Sequence, residues 1–351
     1  MEKQKDQAGE RGADESHLST IDRRGNPPFF MKITPIPELK GYGVFVDDID
    51  IKQLTRDQWM SLGKLQMEQL VMVIRNSGIN INQFHKVMKM WGKCRQNYAA
   101  KEEHNSEVAK EYARIGGHAK TGHIVRVAEK NGLFGSGELL WHSNESGDIA
   151  FTPGVALLGD HGMQQSATGF MVSSPYYYSL PESFRSELDE LVLIHNFQEN
   201  KINANDENNV VYKNMCPDPE TEIPLVIQSP AGIKGLHYPY NTTTRIKDFS
   251  QEDSIRLLNE LQWGLSSYTY DYWWENDDDL LIFDNSIVQH RRLGNTTDRL
   301  CYRYQFDYTY LQYKVTGKPY MPYYQEPYIS RYKEKMADIT KVFPVFGYPP
   351  S

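Results

Sequence analysis

Two stretches, LLWHSNES at 139–146 and LLIFDNSIVQHRR at 280–292, each run an apolar, strand-like segment into a histidine. Imidazole is the natural nitrogen ligand for Fe(II), and a face of two histidines and one carboxylate leaves coordination positions open for a co-substrate and oxygen. His142 and His290, each at the end of a predicted strand, fit the two histidine positions, although two distant histidines alone say little. The next segment, RLCYRYQFDYTY at 299–310, alternates with the period of two that marks a strand. On that strand Arg299 and Arg303, four residues apart, share a face. Two guanidiniums turned into a tyrosine-rich interior need anionic partners, and carboxylates suit their fork geometry. The plain alternative is a pair of salt-bridged surface arginines.

Outward from these segments the chain alternates short strands with a few helices. FFMKITPIPELKGYGVFVDDIDI (29–51) suits short strands and a turn, Thr55 opens a helix with Trp59, Leu62, Leu65, Met67 and Leu70 inward, and VMVIRN (71–76) reads as a buried strand. Further helices are predicted over Ile81–Cys94, from Pro181 with Phe184, Leu188, Leu191, Val192 and His195 inward, and from Ser250 with Leu258, Leu261 and Leu265 inward. His195 reads as a packed helix-face histidine. Residues 1–28 are polar and read as a disordered leader; 99–138 is long and weakly patterned, a candidate lid. One folded domain is expected over 29–313, with a Tyr- and Pro-rich extension, 314–351, packed on it.

Composition narrows the function classes. Hydrophobic residues make up 39% and charged residues 24%, a globular balance. No run approaches the ~18 apolar residues of a membrane-spanning helix. No apolar stretch near the N-terminus resembles a secretory signal, so the chain reads as cytoplasmic. A net charge of −8 argues against nucleic acid as a partner. Cys94, Cys216 and Cys301 make neither a disulfide framework nor a zinc site, and His104, His118 and His123 lack ligand spacing. The 23 tyrosines point to half-buried strands, with an aromatic pocket as the alternative.

Taken together, the segments resemble the taurine dioxygenase (TauD/TfdA-like) family of Fe(II)/2-oxoglutarate-dependent oxygenases from about Met31 to Tyr310. LLWHSN is similar to the family's W-H-x-D segment, LLIFDNSIVQHRR to its W-D-N…H segment and RLCYR to the R-x-x-x-R that follows; ATGFMVSSPYYYSLPESFRSEL (167–188) and GIKGLHYPYNTTTRIKDFSQEDSIRLLNEL (232–261) match intervening stretches. The resemblance implies a mainly β fold with flanking helices and a double-stranded β-helix (jelly roll, cupin-like) core. It implies His142 and His290 as iron ligands, Thr168 and Arg299 on 2-oxoglutarate, and Arg303 near the inner carboxylate or an anionic substrate group. The interval from His290 is slightly short, so the two arginines could exchange roles. His237 and Tyr238 become expected substrate contacts beside Arg303. The implied activity is hydroxylation of an unactivated C–H of a small polar molecule, with O2 and 2-oxoglutarate consumed and succinate and CO2 released. Homo-oligomers are common in the family, but no stripe of this chain specifies one.

One position departs. The metal carboxylate should lie two residues after the first histidine, where this chain has Asn144. Residues i and i+2 of a strand share a face, so Asn144 looks at the metal and Glu145 points away unless the backbone bulges. Three outcomes stay open: Glu145 replaces the carboxylate through a bulge; Asn144 is a weak ligand or leaves the position to a halide, giving halogenation; or iron binds poorly and the chain is a non-catalytic binding member.

Overall fold

A computed structural model of the chain describes residues 31–93, 124–127, 138–196, 220–295 and 299–342. The predicted leader, Cys94, Cys216 and His104, His118 and His123 lie outside them, as does nearly all of the 99–138 span.

Strands dominate, and two sheets face one another. The larger has seven strands in the order β1 (Lys32–Pro35), β2 (Val44–Asp47), β3 (Val71–Ile74), β14 (Leu280–Asp284), β6 (Gly154–His161), β16 (Leu300–Phe306) and β4 (Ile124–Val127). The smaller has four, β13 (Thr269–Trp273), β7 (Ser166–Val172), β15 (Val288–Gly294) and β5 (Leu139–His142). Alternation along the large sheet feeds two cores. Val71, Val73, Val155, Leu157, Leu281 and Phe283 meet Phe170, Val172 and Val288 of the small sheet. Their neighbours Met72, Ile74, Ala156, Leu158, Leu280 and Ile282 turn the other way, onto the helices. With both faces covered, the central strands are apolar throughout rather than alternating.

Those helices are α1 (Arg56–Gln69) and α2 (Ile81–Met88). Each opens with a capping box, from Thr55 with Gln58 and from Asn80 with Gln83. The second helix stops well short of the predicted Cys94 because Trp91 leaves the helix to stack on Trp59, ring centroids 4.6 Å apart, with its indole N–H on the Trp59 carbonyl. A third core joins α3 (Ser174–Ser179), α4 (Glu182–Glu190) and α5 (Gln251–Leu265) to a three-stranded sheet, β12 (Thr243–Ile246), β8 (Val192–Asn196) and β9 (Glu220–Pro224), and a hairpin of β10 (Val226–Gln228) and β11 (Lys234–Leu236). Ser250 caps α5, and Leu258, Leu261 and Leu265 are its buried stripe, as its sequence pattern predicts.

One further expectation is corrected. The helix begun at Pro181 ends at Glu190, and His195 belongs to β8, hydrogen-bonded to strands on both sides. The run Val192-Leu193-Ile194 is apolar on successive residues, two of them β-branched, which suits a strand covered on both faces better than one helix face. Within the candidate lid, the described residues 124–127 form the edge strand of the large sheet, pairing Val125 with Arg303. Beyond β16 come α6 (Thr309–Thr316) and α7 (Tyr328–Val342). The C-terminal tyrosines enter the inter-sheet core: Tyr323, Tyr328 and Tyr332 are buried in it, and Tyr323 donates to the Ile149 carbonyl at 2.7 Å.

Candidate active site

The two sheets bring the sequence-distant histidines together. His142 closes β5 and His290 lies in β15, directly opposite one another across the ladder, with ring centroids 4.1 Å apart. Both are buried. The Nδ1 of His142 sits 2.7 Å from the Leu140 carbonyl, which can only accept, so Nδ1 carries the proton and Nε2 keeps its lone pair. Burial pulls the His142 imidazole down to about 4, against the Leu140 hydrogen bond, and the Arg303 and Arg292 charges add to the lowering. Burial, with His142 and Arg303 beside it, lowers His290 as well. Both rings are therefore neutral near pH 7, the form that binds a metal.

Asn144 and Glu145 take different roles. The Asn144 carboxamide oxygen accepts from the Arg303 guanidinium at 3.4 Å, and its buried Nδ2 has no hydrogen-bond partner. Its backbone is clamped by one side chain: Asn285 accepts from the Asn144 N–H at 2.9 Å and donates to the carbonyls of Asn144 and Thr152. Glu145 has φ 56°, a left-handed turn residue, and its carboxylate accepts from the Thr152 N–H at 3.0 Å and the Thr152 hydroxyl at 2.6 Å. The turn after β5 thus ties Glu145 to Thr152 and sets Asn144 against Arg303. Among the described residues no three His, Cys, Asp or Glu side chains converge to hold a metal.

Arginines supply the charge. Arg299, just before β16, is buried with its guanidinium 5.4 Å from the Trp274 ring, and Trp274 donates to the Thr168 hydroxyl at 3.0 Å. Arg299 Nε and Nη1 have no hydrogen-bond partner. Arg303 stands by Asn144 and the histidines, whereas Arg299 stands by Trp274. A third, Arg292, was missed by the sequence reading. It is 4% exposed and lies opposite Thr168 in the β15–β7 ladder. The signal was present, because Arg292 follows His290 by two residues and must share its face, whereas Arg291 turns outward to Asp271.

Of the expected substrate contacts, His237 is buried, stacked on Phe151 at 4.9 Å, and bonded through Nδ1 to the Ser286 carbonyl at 2.6 Å. Tyr238 is not brought with it: its side chain packs among Met171, Leu193 and Leu236 in the third core, since neighbouring residues of an extended segment face opposite ways.

Two neutral imidazoles fit a divalent metal, and three buried guanidiniums fit a dicarboxylate. Among the described residues, a carboxylate is missing from the position two after His142, where Asn144 presents a neutral amide to Arg303.

Comparison with known proteins agrees. The sequence profile of the family described as taurine catabolism dioxygenase TauD, TfdA matches residues 32–305. Similar folds include a Burkholderia xenovorans protein assigned as an alpha-ketoglutarate-dependent taurine dioxygenase (18% identity, TM-score 0.60) and a taurine dioxygenase from the same organism (17%, 0.59), each covering 79% of this chain and 89% of the other. AAD-2, solved with Mn(II) and N-oxalylglycine, is similar at 16% identity and TM-score 0.57, over 79% of this chain and 96% of its own. No curated protein sequence matches. With its profile spanning both sheets and both histidines, the chain belongs to the TauD/TfdA family and is an oxidoreductase, an Fe(II)- and 2-oxoglutarate-dependent dioxygenase.

Proposed function

We propose that this enzyme hydroxylates an unactivated C–H of a small polar substrate in the cytoplasm, releasing succinate and CO2. The observation that carries the proposal is the pairing of His142 with His290, neutral and buried, among three buried arginines. The facing sheets support a double-stranded β-helix as the scaffold. His142 and His290 would hold Fe(II), which together with 2-oxoglutarate and O2 supplies the oxidising power. Arg299, backed by Trp274 and beside Thr168, grips the distal carboxylate of 2-oxoglutarate, and Arg292 adds charge from the His290 face of β15. Arg303 orients the Asn144 amide. Burial of the whole cluster keeps water from the reacting carbon.

Anaerobic titration of the apo-protein with Fe(II) and 2-oxoglutarate tests this. The weak visible charge-transfer band of the chelate is expected, and it disappears in His290→Ala. A folded protein without the band is not an oxygenase and falls back to a binding role.

A second reading has its own observation. Asn144 Nδ2 is a buried donor with no partner beside Arg303, an arrangement that accepts an anion rather than supplying one. A halide there would turn the outcome to halogenation, and chloride would then shift the chelate band. A band indifferent to chloride leaves hydroxylation.

A further inference from the structure

A second histidine pair lies beyond the turn that follows His142. His195 from β8 and His237 after β11 are each 1% exposed, with ring centroids 5.9 Å apart. The two pairs are physically joined. Ser146, in the turn after His142, donates to Asn241 in the loop after His237 at 3.2 Å, and Gly147 lies against His195 closely enough that a Cβ there would sit 3.4 Å from the His195 Cβ. Each ring of the second pair uses Nδ1 within the fold, His195 on the Thr242 hydroxyl at 3.1 Å and His237 on the Ser286 carbonyl. Each leaves Nε2 buried without a hydrogen-bond partner.

A buried polar atom left unmet costs stability, and two in one cluster call for a ligand. The tautomer states which kind. The Ser286 carbonyl accepts, so the His237 proton sits on Nδ1 and its Nε2 is a bare lone pair. Only a donor satisfies it; a carboxylate or sulfonate, having no proton to give, does not. Burial is the main cause of the lowered pKa of His195 and His237, and the arginine charges that add to the lowering at His142 and His290 do not add to it here. Two neutral imidazoles do not repel a cation.

We propose that His195 and His237 form a substrate subsite beside the metal-binding pair, taking a hydrogen-bond-donor head group, an ammonium or a hydroxyl. It rests on the oxygenase reading in calling this ligand the substrate. The substrate is then an amine or an alcohol at the end away from the arginines, and His195 is a specificity residue.

The test is a titration of the full chain, labelled with 15N-histidine, following the Nε2 resonances of His195 and His237. The probes are n-butylammonium chloride, n-butanol and sodium butanesulfonate. The amine or the alcohol is expected to move both resonances with half-saturation at least 10-fold below that of the sulfonate, and whichever does so names the head group. His237→Asn, which keeps a donor for the Ser286 carbonyl, and separately His195→Asn, should weaken that probe at least 10-fold. Equal response to the sulfonate, or silence to both donors, overturns the subsite, and the wild-type titration decides this even if a variant fails to fold. Silence here with the Fe(II)–2-oxoglutarate band present removes the subsite alone. A missing band with a donor response removes the oxygenase reading alone.

Discussion

At the scale of single residues, the proposed reading makes position 144 the residue that governs the metal. Placing a carboxylate there adds a full charge beside two neutral imidazoles in a buried site, where charges interact strongly. Asn144→Asp is therefore expected to tighten Fe(II) binding by about 10-fold or more, roughly 1.4 kcal/mol, measured by anaerobic titration. Glu145→Gln separates the alternatives. It weakens the hydrogen bonds from Thr152 and should cost about 1–3 kcal/mol in thermal unfolding while leaving Fe(II) affinity unchanged. Loss of iron in that variant would place the metal carboxylate on Glu145. Most of this cluster was legible beforehand, because His142, His290, Thr168, Arg299 and Arg303 stand in motifs whose order the sequence preserves. Arg292 and His195 were not. Arg292 needed only the period of two counted from His290. His195 stood in an apolar run whose strand character is decided by partners far along the chain, so it could not be separated from a helix face.

At the scale of elements, caps and close approaches set what can change. Thr55→Ala removes one half of the capping box of α1 and should cost about 1 kcal/mol in denaturant unfolding. Gly159 in β6 is stricter. A Cβ there would lie 2.4 Å from the Asp277 backbone oxygen and 3.1 Å from the Trp274 ring. Backbone cannot swing aside as a side chain does, so Gly159→Ala should destabilise by about 2 kcal/mol or more. It should also weaken 2-oxoglutarate binding, because Trp274 backs Arg299 and bonds Thr168. The capped helix starts at Thr55, Asn80 and Ser250 are local signals and were readable where present. The early end of α2 was not, since it depends on Trp91 finding Trp59.

Across the whole molecule, buried titratable groups make stability depend on pH. Burial holds His142 and His237 at about 4, and lowers His195 and His290 too, below the 6.5 of the unfolded chain. Between those values the unfolded state binds more protons, so stability is complete above pH 6.5 and is lost as pH falls towards 4. At about 1.4 kcal/mol per pKa unit, His142 and His237 account for roughly 3 kcal/mol each. Asp284 works in the opposite sense. Burial raises it to about 7 against the backbone N–H donors of Ile287 and Ser286, so its ionisation destabilises the fold as pH rises from 3.8 to 7. Four histidines outweigh one carboxyl, and net stability should drop on acidification from pH 6.5 to 4. Asp284→Asn, which keeps an oxygen for the Ser286 and Ile287 N–H groups, should raise stability at pH 8 by on the order of 3 kcal/mol and steepen the acid loss. Unfolding curves at pH 8 and pH 5 check both.

The Asn285 clamp holds residue 144 by its main chain alone, through the amide and carbonyl that every amino acid other than proline possesses. The register of the site is thus indifferent to which side chain stands there. Position 144 behaves as a socket: aspartate, asparagine, glycine or alanine can be exchanged in it while the histidines keep their places. On the proposed reading, a lineage built on this turn would pass from one oxidative outcome to another at a single codon, without first having to rebuild the fold around the iron.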